Sequence, residues 1–164
     1  MFCLRSSFST FHSFHIVLEY DQRKTLAENR GDRMVGMDAL ARITDNEAVE
    51  NINEIVKCFV DRIDPLMVIL FGSFVDGTYT DESDYDFYLV VEDGQNVSDT
   101  IESAYNAVLY VKKRPVDIIV GTRSRFERKR YAKHSLMVEG EVQRNGILLY
   151  DRTAQEGMRR RAVV

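Results

Sequence analysis

Five residues in the middle of the chain, Gly72, Ser73, Asp84, Asp86 and Asp117, have the types and spacing to handle a phosphate group. The stretch 69 to 91, ILFGSFVDGTYTDESDYDFYLVV, sets Gly72 and Ser73 directly after an apolar run. Glycine there lets the backbone turn with its neighbours' N–H groups open to an anion, and the serine adds a hydroxyl donor, which is a phosphate cradle in outline. The next glycine, Gly77, lies five residues on; neither the Lys-Ser/Thr ending of a P-loop nor a G-x-G-x-x-G is present, so those two nucleotide-binding readings are dropped. Asp84 and Asp86 stand one residue apart at the entry to a strand, where the period of two sends both carboxylates to one side. Like charges this close are unfavourable unless a cation neutralises them, and hard oxygen ligands suit Mg²⁺ bound jointly with substrate phosphates. Asp117 interrupts the apolar strand VDIIV, a place where a carboxylate is costly to bury unless it is paired or holds a metal. If the two strands are neighbours, three carboxylates converge. Such a trio can hold two Mg²⁺ ions about 4 Å apart, one activating an incoming hydroxyl and the other clamping a triphosphate for in-line transfer.

The elements that must position these residues alternate between helix and strand periods. Residues 45 to 64 place Val49, Ile52, Ile55, Val56, Phe59, Val60 and Ile63 at spacings of three and four behind Asp45 as N-cap, which predicts an amphipathic helix stopped by Pro65. The run 66 to 71 reads as a buried strand ending at Gly72, and 87 to 92 as a second strand followed by a turn at Asp93-Gly94-Gln95. Residues 97 to 113 predict another helix, 114 to 121 a third strand, 125 to 141 a charged helix, and 145 to 151 a last extended segment before the basic tail at 159 to 161. The fold class is therefore α/β (α+β), a small mixed sheet flanked by helices.

The composition narrows the context. With 164 residues, 45% hydrophobic and 29% charged, the chain fits one soluble domain, and its formal net charge of −4 gives no global attraction to nucleic acid or an acidic membrane. Cys3 and Cys58 match no zinc or redox spacing, which points to a reducing cytoplasm, and no apolar run approaches the length needed to span a bilayer. Residues 1 to 36 are rich in Ser, Phe and His and then polar without period, and their apolar stretches are too interrupted for a signal peptide. They are expected to be a loose N-terminal extension, with 37 to 164 as the folded domain.

The ordered array Gly72-Ser73, Gly77, Ser83-Asp84-x-Asp86 and a later strand Asp117 resembles the signature of the DNA polymerase beta-type nucleotidyltransferases, in particular the small branch called minimal nucleotidyltransferases. The resemblance covers roughly 60 to 150 and implies a polymerase beta-like fold. It implies that Gly72 and Ser73 hold the β and γ phosphates of a nucleotide and that Asp84 and Asp86 bind two Mg²⁺. Asp117 would join the catalytic metal and position or deprotonate the acceptor hydroxyl. The C-terminal portion is expected to be too short for a large acceptor-binding domain, and the acceptor is therefore expected to come largely from elsewhere. Minimal nucleotidyltransferases of this size resemble the antitoxins of toxin–antitoxin modules whose partner is a HEPN ribonuclease toxin. Those antitoxins transfer AMP from ATP to a toxin tyrosine, which predicts ATP, Mg²⁺ and a protein acceptor here, with nucleic acid not a direct substrate and a homo- or hetero-oligomer as the working form. Two alternatives stand beside this: transfer to a small molecule such as an aminoglycoside, and a non-catalytic antitoxin that masks its partner.

Each feature also has an ordinary structural reading. A D-x-D pair is commonly turn and strand-entry chemistry, and Asp117 reads equally as an edge-strand acid facing water. Asp76, Asp81 and Glu82 read as solvated loop residues, and Tyr79 and Tyr85 as loop and core packing rather than base-stacking partners. The basic segment 123 to 133 reads first as a solvated helical face, with Arg123, Arg125, Arg128 or Lys129 neutralising a triphosphate or meeting a partner as the functional alternative. His134 has no companion for a ligand role. The conjunction, in order and on the expected elements, favours the enzyme.

Overall fold

Asp45 opens the first helix, α1 (Asn46–Ile63), by accepting a hydrogen bond from the Ala48 N–H at 3.1 Å, so the N-cap expected from sequence is in place. The helix closes on Asp64 in the left-handed conformation (φ 50°), directly before Pro65, which cannot continue it. The computed structural model describes residues 39–129 and 137–152. The N-terminal extension, His134 and the tail at 159 to 161 lie outside the described residues.

After α1 follow β1 (Met67–Phe71), a single helical turn α2 (Ser73–Asp76), β2 (Tyr85–Val91), α3 (Val97–Val108), β3 (Val116–Thr122), α4 (Arg123–Lys129), α5 (Val138–Asn145) and β4 (Ile147–Asp151). The strands form one mixed sheet in the order β3-β2-β1-β4. β1 runs antiparallel to both β2 and β4, whereas β2 and β3, joined through α3, are parallel. This is the expected α/β class. Side-chain alternation divides the apolar residues between two faces. Phe87, Leu89, Ile118, Val120, Val68 and Leu70 pack with Ile52, Ile55 and Phe59 of α1 and Ala104 and Val108 of α3. Tyr88, Val90, Ile69 and Phe71 pack with Val142, Val138 and Phe126 from α5 and α4.

Three expected elements change. The single helix read over 125 to 141 is interrupted: α4 (Arg123–Lys129) starts two residues earlier, immediately after β3, and Met137 is extended (φ −86°, ψ 150°) as the N-cap from which α5 starts at Val138. The helix read to 113 stops at Val108, because the chain turns there and is fastened to buried Asn51 of α1. Asn51 Nδ2 donates to Val111 O at 2.7 Å, and its Oδ1 accepts from Lys113 N at 2.9 Å. The turn after Gly72 contains α2, too short to register as a period in the sequence.

One close approach fixes how β2 and β3 fit. A Cβ at Gly121 would overlap the Tyr88 hydroxyl and stand 2.8 Å from its Cζ. Tyr88 is wholly buried, and its hydroxyl donates to Glu139, also 0% exposed, which is held by Arg125 Nε at 2.6 Å. Burial and the Glu139 charge push the Tyr88 phenol above its ordinary pKa, so it stays a donor. Gly121→Ala is therefore expected to destabilise the domain by about 1–3 kcal/mol through overpacking, read as a lowered urea midpoint with an unchanged m-value.

Candidate functional site

Gly72 ends β1 with φ +71°, a backbone conformation that side chains rarely tolerate, and caps the N-terminus of α2. Its carbonyl accepts from Val75 N at 3.0 Å and Asp76 N at 3.1 Å, while Gly77, at φ +74°, closes the turn. The glycines bracketing Ser-Phe-Val-Asp thus have one structural purpose, a single tight turn. Phe74 at its centre is buried and anchors it, stacking on Tyr79 at 4.4 Å and packing against Tyr85 at 4.8 Å. Tyr79 and Tyr85 are therefore packing residues, as their ordinary reading expects.

Gly72 has no side chain because Asp86 takes the space. A Cβ there would overlap Asp86 Oδ2 and lie 3.0 Å from its Cγ. Asp86 in turn stands opposite Phe71 on β1 and in register with Asp117 on β3. Paired residues of neighbouring strands share a face and lie about 4.8 Å apart, so Phe71, Asp86 and Asp117 form a row across one end of the sheet, with Gly72, one residue past β1, against the Asp86 carboxylate. Asp117 is exposed and on an edge strand, as its water-facing reading expects, yet that strand is the neighbour that the converging reading requires. Asp84 lies just outside β2, exposed, in the approach to Tyr85.

Burial, then the charges of Asp117, Asp84 and Glu141, push the Asp86 carboxyl up from 3.8 to about 6. Glu141 is a fourth acid that sequence reasoning missed. It comes from α5, whose packing across this face leaves no mark in local spacing. Among the described residues no three acid, His or Cys side chains stand close enough to hold a metal ion as placed. The donor chemistry nevertheless fits a divalent cation: the charges of Asp117, Asp84 and Glu141 bear on a half-buried carboxylate whose ionisation is costly until positive charge arrives. Asp117 is meanwhile engaged at the sheet edge, where Tyr105 of α3 donates its hydroxyl to Oδ1 at 3.3 Å.

The loop delivering Asp84 is held by a residue the sequence did not single out. Arg114 donates to Thr80 O at 2.9 Å and Asp81 O at 2.8 Å, reaches Asp45 Oδ2 at 3.2 Å, and lies over the Phe74 ring. The Thr80 N–H also donates to Ser83 Oγ at 2.8 Å, closing the turn before Asp84. A guanidinium fork suits two carbonyls and a carboxylate at once, and lysine cannot reproduce it. Arg114→Lys and Arg114→Ala are both expected to lower stability by about 1–3 kcal/mol and to weaken any activity that depends on Asp84, checked by denaturant unfolding alongside turnover.

Among the described basic side chains of the segment, two are engaged in ion pairs. Arg123 pairs with Glu92 at 3.4 Å and Arg125 with buried Glu139, while Arg128 is exposed. Asp76, Asp81 and Glu82 are exposed. Cys58 is buried, and its thiol is pushed up to about 11, first by burial and then by Asp61 and Glu54, so it remains protonated and unreactive. Among the described residues no helix is long and apolar enough to cross a membrane.

A glycine turn at the end of one strand and carboxylates on the next two, in a small mixed sheet, are the architecture of a nucleotidyltransferase domain. The family described as polymerase beta nucleotidyltransferase matches residues 53–155, and the chain belongs to that family. No curated protein sequence matches the chain. Among solved structures, the chain is similar to a toxin–antitoxin crystal structure with AMP-PNP, at 20% identity over 65% of this chain and 77% of that one, with a TM-score of 0.43. It is also similar to a candidate nucleotidyltransferase from Sulfolobus solfataricus, at 24% identity over 73% of this chain and 84% of that one, with a TM-score of 0.37. The assignment rests on the family match and not on these two likenesses.

Proposed function

We propose that this chain transfers AMP from ATP to a hydroxyl on a partner protein, a tyrosine of a HEPN ribonuclease toxin, and so acts as an antitoxin. The observation that supports the chemistry is that Asp86 lies against the Gly72 turn at the end of β1 and pairs in register with Asp117 on β3. Phosphates bound at the Gly72-Ser73 turn would leave towards β1, and a hydroxyl presented at Asp117 would approach from the β3 edge, which is the opposed arrangement an in-line displacement needs. Asp84, Asp86 and Asp117 are the residues that would hold two Mg²⁺; the ions supply charge neutralisation of the triphosphate and activation of the incoming hydroxyl. Gly72 leaves room for the Asp86 carboxylate beside the turn, Ser73 offers its hydroxyl to a phosphate oxygen, and Asp117 accepts the acceptor's proton. Glu141 adds negative charge beside Asp86 and strengthens its demand for a cation. The toxin partner and the antitoxin role follow from the resemblance to minimal nucleotidyltransferases, whereas the cytoplasmic setting follows from the cysteine spacing and the domain boundary near residue 37 from the patterning of residues 1 to 36.

The test is incubation of the chain with Mg²⁺ and ATP, α-labelled and γ-labelled in parallel, with and without a co-expressed HEPN toxin. Label on the toxin from α-labelled ATP alone, lost in Asp84→Ala, is the expected result. Label from γ-labelled ATP would make the chain a phosphotransferase instead. Tight toxin binding without label, retained in Asp84→Ala, would make it a masking protein.

A further inference from the structure

The hydroxyl that meets Asp117 in this structure belongs to the chain itself. Tyr105 reaches from α3 past the edge of β3 and accepts from the Ile118 N–H at 3.3 Å, a donor on the free side of the edge strand. It donates to Asp117 Oδ1, also at 3.3 Å. Accepting from a fixed backbone N–H leaves the phenol's one proton directed at the carboxylate. A hydroxyl within hydrogen-bond reach of a carboxylate base is the arrangement that general-base activation requires. Tyr105 is 37% exposed, so a nucleotide can approach it from solvent. Across the sheet the order is Gly72, Asp86, Asp117, Tyr105, which puts this phenol at the far end from the phosphate turn, where an incoming nucleophile belongs.

We propose that Tyr105 is an acceptor in cis, so that the chain adenylylates its own Tyr105. The proposal rests on the AMP-transfer reading above and adds a substrate to the same site. The phenolic oxygen of Tyr105 bonds to the α-phosphorus of ATP, the bond from that phosphorus to the bridging oxygen of the β-phosphate breaks, and pyrophosphate leaves. The phenolic proton passes to Asp117 and from there to water. No oxidant or further reactant is required. Modification carries Tyr105 away from Asp117 and occupies the acceptor position with AMP.

The experiment is intact-mass and peptide-mapping analysis of the full chain, first as expressed with nothing added and then after incubation with ATP and Mg²⁺ without partner. The expected result is one adenylyl adduct per chain on the peptide carrying Tyr105, at a rate unchanged on dilution, since the acceptor is in the same molecule. Tyr105→Phe, which keeps the ring, and Asp117→Asn should each reduce the adduct by at least about tenfold. A wild-type chain without adduct, an adduct mapped elsewhere or persisting in Tyr105→Phe, or a rate that falls with dilution would overturn the proposal. A wild-type chain that labels the toxin but never itself sinks self-modification alone, whereas one that labels no protein and releases no pyrophosphate sinks the AMP-transfer reading with it.

Discussion

Asp86→Asn will abolish nucleotidyl transfer, by about 10³-fold or more, and will at the same time make the metal-free protein more stable above pH 6. The two effects have one cause. The carboxyl is pushed from 3.8 to about 6 by burial and by three neighbouring acids, so the folded chain holds a proton there more tightly than the unfolded chain does. A raised carboxyl pKa means that ionisation opposes folding. Well below pH 3.8 the group is protonated in both states and costs nothing; the penalty grows as pH rises from 3.8 to about 6 and is complete above that. The full shift would correspond to about 3 kcal/mol, and because the side chain is only half-buried, solvent screening reduces this to about 1 kcal/mol. In a domain of this size that is a gain of about 2–4 °C in Tm for Asp86→Asn at pH 8, shrinking to a small fraction of that at pH 4. Added Mg²⁺ should raise the wild-type Tm at pH 8 by binding only the folded state, and should leave the variant's unchanged. Thermal unfolding at the two pH values, with and without Mg²⁺, reads all of this. An asparagine variant that is less stable than wild type at pH 8, or that keeps its turnover, would remove Asp86 from the centre of the site.

What the sequence made legible follows what local spacing encodes. Asp45, the apolar stripe from Val49 to Ile63 and Pro65 delimit α1 almost to the residue, because cap, period and stop are all local. The glycine turn was also readable, but the proximity of Asp86 to Asp117 was readable only on the condition that their strands are neighbours, because alternation sets a side chain's face and not which strands pair; the β2–β3 register meets that condition. The misreadings share a different physics. Lys113 ends a turn rather than a helix because Asn51, 62 residues away, takes its N–H. Arg114, Glu141 and Tyr105 reach the site from a loop, a helix on one face and a helix on the other, and no periodicity records which side chains tertiary packing will bring together. Arg125, read first as part of a solvated helical face, instead pairs with buried Glu139, a partner 14 residues on that no local spacing marks.

Gly72→Ala will do the greatest combined damage to fold and site, and the reason is that it fails on two independent counts. The backbone at φ +71° disfavours any Cβ, at a cost of about 1–2 kcal/mol. The new methyl would also occupy the position of Asp86 Oδ2, so either the carboxylate or the turn must move. Moving the turn breaks the Gly72 carbonyl's bonds to Val75 and Asp76 and displaces buried Phe74; moving the carboxylate disturbs its place between the Gly72 turn and Asp117. A total loss of about 2–4 kcal/mol is expected, together with loss of nucleotidyl transfer. The double variant Gly72→Ala/Asp86→Gly separates the counts. Removing the Asp86 side chain makes room for the methyl, so the two substitutions should be less damaging to stability together than their sum, by about 1 kcal/mol or more, while the positive-φ cost and the loss of activity remain. Denaturant unfolding of both single variants and the double gives the coupling directly. Strict additivity would mean that the methyl and the carboxylate never compete for the same space, and that Gly72 is a glycine for its backbone alone.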